Sequence, residues 1–70
     1  MTLDKLKLVR EFDTKMCEVR IYESDFEVLN EKLYVISTFA KNNKVLTIRF
    51  GNFIQTNSII RTYYREDMML

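Results

Sequence analysis

The chain of 70 residues is 47% apolar and 30% charged and carries a formal net charge of +1. This composition is typical of a folded domain and excludes a disordered chain, so we treat residues 1–70 as a single domain. Cys17 is the only cysteine and there is no histidine, which excludes an internal disulfide and argues against a zinc site. Because a core of this size seldom supplies more than about 3–5 kcal/mol, we expect added stability from a homodimer.

Two strands are predicted at the start of the chain. Within Lys5–Phe12, Leu6 and Leu8 alternate with lysines as in a strand, although other apolar residues of this segment also have helical spacing. Asp13–Lys15 would then form a short loop. Met16–Tyr22 alternates apolar and polar residues throughout, which indicates the second strand of a hairpin.

A short helix is predicted next. Ser24, followed three residues later by Glu27, has the pattern of a capping box, in which two side chains satisfy free backbone N–H groups at a helix start. Three apolar residues then recur at spacings of three and four, namely Phe26, Leu29 and Leu33. We therefore predict a helix over Asp25–Lys32, although Ile36 and Ala40 keep the same spacing and would allow the helix to continue.

Three further strands are predicted after this helix. Tyr34–Phe39 and Val45–Phe50 are rich in β-branched and aromatic residues. Between them lies the turn Lys41–Lys44, in which asparagine tolerates left-handed backbone angles. Gly51 and the following asparagine end the second of these strands, and alternation over Ser58–Arg65 indicates a last one. The predicted fold class is α+β on an antiparallel sheet, in the order β-β-α-β-β-β.

No set of catalytic residues is visible in the sequence. Without histidine the chain lacks the side chain that ordinarily titrates near neutral pH, and one glycine cannot build a phosphate-binding loop. Cys17 lies at an inward position of a predicted strand, and we interpret it as a small buried hydrophobic residue. We therefore predict a binding protein rather than an enzyme, with no cofactor and no metal.

Charge is unevenly distributed along the chain. Residues 1–31 carry eight acids and five bases, a sum of −3, whereas residues 32–65 carry six bases and no acid, a sum of +6. Such asymmetry favours an interaction surface, although the two halves could also neutralise each other within the fold. The basic segment 41–65 contains arginines among aromatic residues, a combination that can hold single-stranded nucleic acid.

The acidic half offers a second candidate surface. On the predicted helix, Glu27 and Glu31 would be about 6 Å apart along the axis, and on the first strand Glu11 and Asp13 would be about 6.6 Å apart. Both spacings are near that of successive phosphates in nucleic acid. Phe26 would either fill the core or serve as an interface anchor. The candidate partner-binding residues are Glu23, Asp25, Phe26, Glu27, Asn30 and Glu31.

The run Ser24–Leu29, placed after a hairpin and before a strand, resembles the small dimeric uracil-DNA glycosylase inhibitors encoded by tailed phages. The resemblance implies a DNA mimic that occupies the enzyme's DNA-binding groove with acidic side chains. An apolar pocket between two helices would sequester the leucine with which the enzyme probes DNA. It further implies that Phe26 lines this pocket and that Glu27 is a key acidic contact, with Glu23 and Asp25 on the acidic rim.

The sequence thus supports three hypotheses for function. The first is a homodimeric inhibitor of host uracil-DNA glycosylase, and the second is a nucleic-acid-binding module that uses segment 41–65. The third is a generic protein-interaction subunit. The single thiol, the short apolar runs and the charged N-terminus predict a cytoplasmic location with no membrane partner, in the host cell if the gene belongs to a phage.

Overall fold

The computed structural model describes residues 6–69, and the side chains of residues 6–65, as four strands followed by one helix. The elements are β1 (Lys7–Asp13), β2 (Glu18–Val28), β3 (Glu31–Phe39), β4 (Val45–Gly51) and α1 (Phe53–Met69). The strands form one antiparallel sheet in the order β1-β2-β3-β4. The predicted α+β class with an antiparallel sheet is confirmed, but the element order is β-β-β-β-α.

Several predicted local features are confirmed. The first strand runs over Lys7–Asp13, and the predicted start at Lys5 lies outside the described residues. The turn before β4 has Asn43 at a φ of 68°, the left-handed conformation that asparagine tolerates. Cys17 is buried, and its main-chain N–H and carbonyl oxygen both bond the Thr14 hydroxyl in the β1–β2 turn.

The predicted helix over Asp25–Lys32 is wrong. These residues form the end of β2, a two-residue turn and the start of β3. The ladder places Glu27 opposite Lys32 and Val28 opposite Glu31. A helix of this length is marginal in water without tertiary support. The pairing of β2 with β3, which resumes after a bulge at Glu27, supplies main-chain hydrogen bonds in this region, so the strand conformation prevails.

The predicted last strand over Ser58–Arg65 is also wrong, because these residues lie within α1. The helix begins with a capping box that the sequence contains at Asn52 and Gln55. The Asn52 side-chain oxygen accepts the Gln55 N–H at 2.8 Å, and the Gln55 side-chain oxygen accepts the Asn52 N–H at 2.9 Å. Two free donors at the helix start are thereby satisfied reciprocally.

Helix α1 covers one face of the sheet and closes the core there. Ile60 packs into a cluster of four buried residues from the β1–β2 turn, β2 and β3, namely Cys17, Val19, Ile21 and Ile36. Near the end of the helix, Tyr64 stacks on Phe12 of β1 with ring centroids 5.0 Å apart. The Arg10 guanidinium donates to the Tyr64 hydroxyl at 2.8 Å. These contacts tie the helix to the edge strand β1.

The opposite face of the sheet has no helix over it in the described chain. Tyr22, Val35 and Phe50 occupy successive strands in direct register on that face. Leu6, Phe39 and Ile48 line the same shallow depression. We refer to these six residues as the open face.

Candidate functional site

The β2–β3 hairpin extends beyond the rest of the sheet. Within the described residues 6–69, β1 pairs with β2 over residues 18–23, and β4 pairs with β3 over residues 34–39. Residues 24–33 therefore form a two-stranded ribbon, which reaches about 10 Å past the last flanking pair at about 3.3 Å per residue. The radius of gyration of 12.5 Å exceeds the value of about 11 Å expected for a compact chain of this length. All six predicted partner-binding residues lie on this ribbon or at its base.

A bulge fixes the base of the ribbon. Between the pairs Glu23–Tyr34 and Glu27–Lys32, β2 has three residues and β3 has only Leu33. The Ser24 hydroxyl donates to the Leu33 carbonyl oxygen at 2.8 Å and accepts the Phe26 N–H at 3.2 Å. Ser24 therefore acts within a strand rather than as the predicted helix cap. Bulges of this kind redirect a strand and increase its twist.

The tip of the ribbon is a two-residue turn that presents Leu29 to solvent. Leu29 and Asn30 have φ values of 53° and 64°, as a two-residue hairpin turn of the primed type requires. Asparagine suits this conformation, but a bulky side chain such as leucine is uncommon in it. Leu29 is 91% exposed and the neighbouring Val28 is 55% exposed. An apolar tip on a protruding ribbon is thus accompanied by backbone strain.

The structure excludes one of the two predicted positions of Phe26, the core. Its side chain is 47% exposed, so it is not a core residue. It lies in the bulge, two residues before Val28, on a ribbon that carries carboxylates on both sides. The exposed apolar residues Phe26, Val28 and Leu29 therefore lie along the end of β2 and the turn, with Glu27 between the first two.

The three carboxylates of the ribbon and that of Glu23 at its base have different environments. Glu23 bonds the Lys32 ammonium at 2.8 Å, and Glu31 accepts a hydrogen bond from the Asn52 side chain at 2.8 Å. Asp25 and Glu27 are exposed and make no hydrogen bond or ion pair with the side chains described for residues 6–65. These two carboxylates remain available to a partner.

Lys32 and Glu23 shift each other's pKa at the base of the ribbon. The hydrogen bond from Lys32 lowers the pKa of Glu23 below the ordinary range, and Glu23 in turn raises the pKa of Lys32. Both shifts favour the charged forms of the two side chains, which the ion pair joins. The predicted phosphate-like spacing of Glu27 and Glu31 is wrong, since their adjacent register pairs place them on opposite faces of the ribbon.

Val28 and Leu29 belong to this surface but were not among the predicted site residues. In the predicted helix, Val28 and Leu29 would have faced inward or continued an apolar stripe. The observed two-residue turn instead places them at the exposed end of the hairpin. The signal available in the sequence is the dipeptide Leu29–Asn30 between two segments of high strand propensity. An asparagine at the second position of such a turn is compatible with the left-handed conformation.

The basic segment 41–65 does not form a single stacking platform. Arg49 and Phe50 are adjacent on β4 and therefore point to opposite faces of the sheet. Tyr63 packs against the core, and Tyr64 is engaged by Phe12 and Arg10. Tyr63 and Tyr64 serve the helix–sheet contact, whereas Phe50 lies on the opposite face of the sheet, so these rings form no single row on which successive bases could stack.

Comparison with known proteins supplies no family for this fold. No protein-family model matches the chain, and the searches of curated proteins and of solved structures gave no match. Among residues 6–69, no helix is long and apolar enough to cross a membrane. The same residues contain no group of three or more acidic or cysteine side chains that could hold a metal ion.

Proposed function

We propose that the protein is a non-enzymatic protein-binding module that inserts its β2–β3 hairpin into a cleft of a partner protein. The observation that carries the proposal is the protruding ribbon with an exposed apolar tip. Phe26 and Leu29 are the anchors, since large apolar side chains that become buried dominate the energy of most interfaces. The strain at Leu29 supports this assignment, because uncommon backbone conformations concentrate at binding sites.

The chemistry of the ribbon defines the partner. Asp25 and Glu27 are unpaired within the described chain and would meet a basic rim around an apolar pocket. Complementary charges at a rim steer encounter and fix orientation more than they add affinity. A protein that itself binds nucleic acid offers such a rim, because its groove carries lysine and arginine for phosphates.

Uracil-DNA glycosylase is the specific candidate partner, on the resemblance of residues Ser24–Leu29 to the phage inhibitors. The exposed carboxylates of Asp25 and Glu27 favour this candidate. The mode of binding would differ from that of the family, since β2 occupies the position of the family's helix. A pocket between two helices cannot form from residues 25–32, and the apolar tip would itself have to enter the enzyme.

The experiment compares hairpin variants with a control of the same chemistry in a uracil-excision assay. Phe26→Ala and Leu29→Ala remove the two anchors, whereas Met16→Ala removes an exposed apolar side chain from the β1–β2 turn, at the other end of β2. We expect the wild type and Met16→Ala to inhibit. If Phe26 is a hot spot, its replacement should weaken inhibition by at least about 2 kcal/mol.

The same variants test the broader proposal with an extract of the cells in which the protein is produced. Each variant is immobilised, and the retained proteins are compared. A protein held by the wild type and by Met16→Ala but lost from both hairpin variants supports the hairpin as the binding element. Equal retention by all four forms would contradict it, and inhibition of uracil excision that survives both hairpin substitutions would remove the hairpin from the enzyme's groove.

A further inference from the structure

The open face is an apolar sheet surface that the helix does not cover. Val35 lies at its centre, with Tyr22 and Phe50 as direct cross-strand neighbours. Ile48 and Phe50 are 57% and 56% exposed. Antiparallel sheets with one solvated face normally alternate apolar and polar residues, with the polar residues facing water. In this sheet the face opposite the helix has an exposed apolar centre beside charged residues such as Arg20, and the exposed centre favours a second layer packed on it.

The occupant must be present whenever the chain is folded. Among the described residues, the buried core cluster on the helix side contains five residues, three from the sheet, one from the β1–β2 turn and one from α1. A core this small seldom stabilises a domain alone, and association is one common remedy. A second copy of the chain can supply this association, because it brings an identical apolar face and its occupancy rises with the concentration of the protein.

The dimensions of the open face suit a second sheet. The whole sheet that contains the open face, four strands about 4.8 Å apart and about seven residues long at 3.3 Å each, has a projected area of about 440 Å². The accessible area is larger, because side chains stand up from the sheet. Two such faces together approach the lower limit of about 1,000 Å² for a specific interface. Sheets pack in this way at about 10 Å separation.

Paired charges border the apolar centre. Arg20, on the same face of β2 as Tyr22, bonds Glu18 at 3.0 Å and lies 3.5 Å from Glu11. Its guanidinium also sits 4.5 Å from the ring centroid of Phe39. Because these charges are already paired within one copy, they can remain at a hydrated rim without leaving an unpaired charge at the interface. An apolar centre with a polar rim is the usual anatomy of an interface.

We propose that two copies of the chain associate face to face through the open face, as a two-fold symmetric β-sandwich with the helices on its outer sides. The exposed Ile48 and Phe50 form the centre of the contact, beside Val35, which is already buried within one copy. The surface is distinct from the hairpin, so each dimer would present two ribbons. The proposal does not depend on the identity of any hairpin partner.

The test measures molar mass by light scattering over a dilution series. Wild type should give twice the 8.5 kDa of one chain. Ile48→Glu places a charge in the contact twice per dimer and should raise the dimer dissociation constant at least about a hundredfold. The control is Arg49→Glu, which introduces the same side chain at the next position of β4 on the helix side of the sheet, and should remain dimeric.

A second variant distinguishes the loss of the dimer from a loss of folding. Phe50→Ser removes apolar area without adding charge, and it should also yield monomer. Circular dichroism of both variants should retain the signal of α1, because neither side chain contacts the buried cluster. A wild type that is monomeric at all concentrations would overturn the proposal. A dimer that persists in both variants would do so as well, and would locate the contact elsewhere, such as the unpaired edge of β4.

Leu29→Glu separates this inference from the proposed function. The residue is exposed at the hairpin tip and lies outside the open face. This variant should stay dimeric while losing the hairpin's partner. If Leu29→Glu instead shifts the protein to monomer, the dimer contact involves the ribbon and the open-face assignment is wrong.

Discussion

The hydroxyl of Ser24 and the main-chain carbonyl of Leu33 are joined by a hydrogen bond of 2.8 Å across the base of the hairpin. Ser24 is only 1% exposed, so this bond is shielded from water. The same oxygen accepts the N–H of Phe26. One small side chain thus satisfies two main-chain groups that the bulge removes from the ladder, and it sets the direction of the ribbon.

Replacing Ser24 should therefore destabilise the fold. Ser24→Ala leaves the Leu33 carbonyl and the Phe26 N–H without their partner, and unsatisfied buried groups cost about 1–3 kcal/mol. We expect a fall of that size in the free energy of unfolding, measured by urea titration. Ser58→Ala, at an exposed position of α1, is the matched control and should be nearly neutral. A neutral Ser24→Ala would mean that the bulge is not held by this hydroxyl.

The start of α1 should depend on its reciprocal cap. Asn52→Ala removes the acceptor for the Gln55 N–H and should cost about 1 kcal/mol. Asn52 also donates to Glu31, so Asn52→Ser is the informative comparison, since serine can cap but is too short to hold both contacts. Thermal unfolding followed at a helical wavelength should rank wild type above serine and serine above alanine. Equal stability of all three forms would contradict the cap.

Thr56 offers a substitution that should stabilise the protein. Thr56 is 5% exposed, and its hydroxyl is a buried polar group without a hydrogen-bond partner in the described chain. Thr56→Val keeps the shape and removes the desolvated hydroxyl, so the free energy of unfolding should rise by about 1 kcal/mol. Thr62→Val is the control, because that hydroxyl is exposed and bonds the Ser58 carbonyl oxygen. No gain at position 56 would indicate that the hydroxyl is satisfied in solution.

The ion pair of Glu23 with Lys32 should make stability depend on pH. The hydrogen bond from Lys32 lowers the pKa of Glu23 in the folded state relative to the unfolded state. The resulting stabilisation is fully present above the unfolded-state pKa, and it is lost as the pH falls through the folded-state pKa. Urea titrations at several acidic pH values should show a smaller loss for Glu23→Gln than for wild type. Glu27→Gln, which removes an unpaired carboxylate, should follow the wild-type curve.

Local patterns in the sequence were sufficient for most of the sheet. The alternation of apolar and polar residues placed β1 and the first part of β2, and the asparagines placed the turn before β4 at Asn43. Cys17 was expected to be buried, and it is. These features depend on side-chain period and on the backbone preferences of single residues, which the sequence states directly.

The two wrong predictions, a helix over Asp25–Lys32 and a strand over Ser58–Arg65, share a physical cause. Ser24 and Glu27 have the pattern of a helix cap, yet the cap at Asn52 and Gln55 is the one that starts a helix. Both patterns are adequate locally, and short helices gain most of their stability from packing. Residues 53–69 pack as a helix on the buried cluster, whereas residues 25–32 pair as strands of the β2–β3 hairpin.

The sequence by itself therefore determined the class of fold, the acidic character of residues 23–31 and the absence of histidine chemistry. Only the tertiary structure decided that Phe26 and Leu29 are exposed, since their exposure follows from the turn and the length of the ribbon. It also decided that one face of the sheet is left open. Both results depend on which segments pack against each other in the folded chain. Those contacts join residues that are distant in the sequence, so no local pattern predicts them.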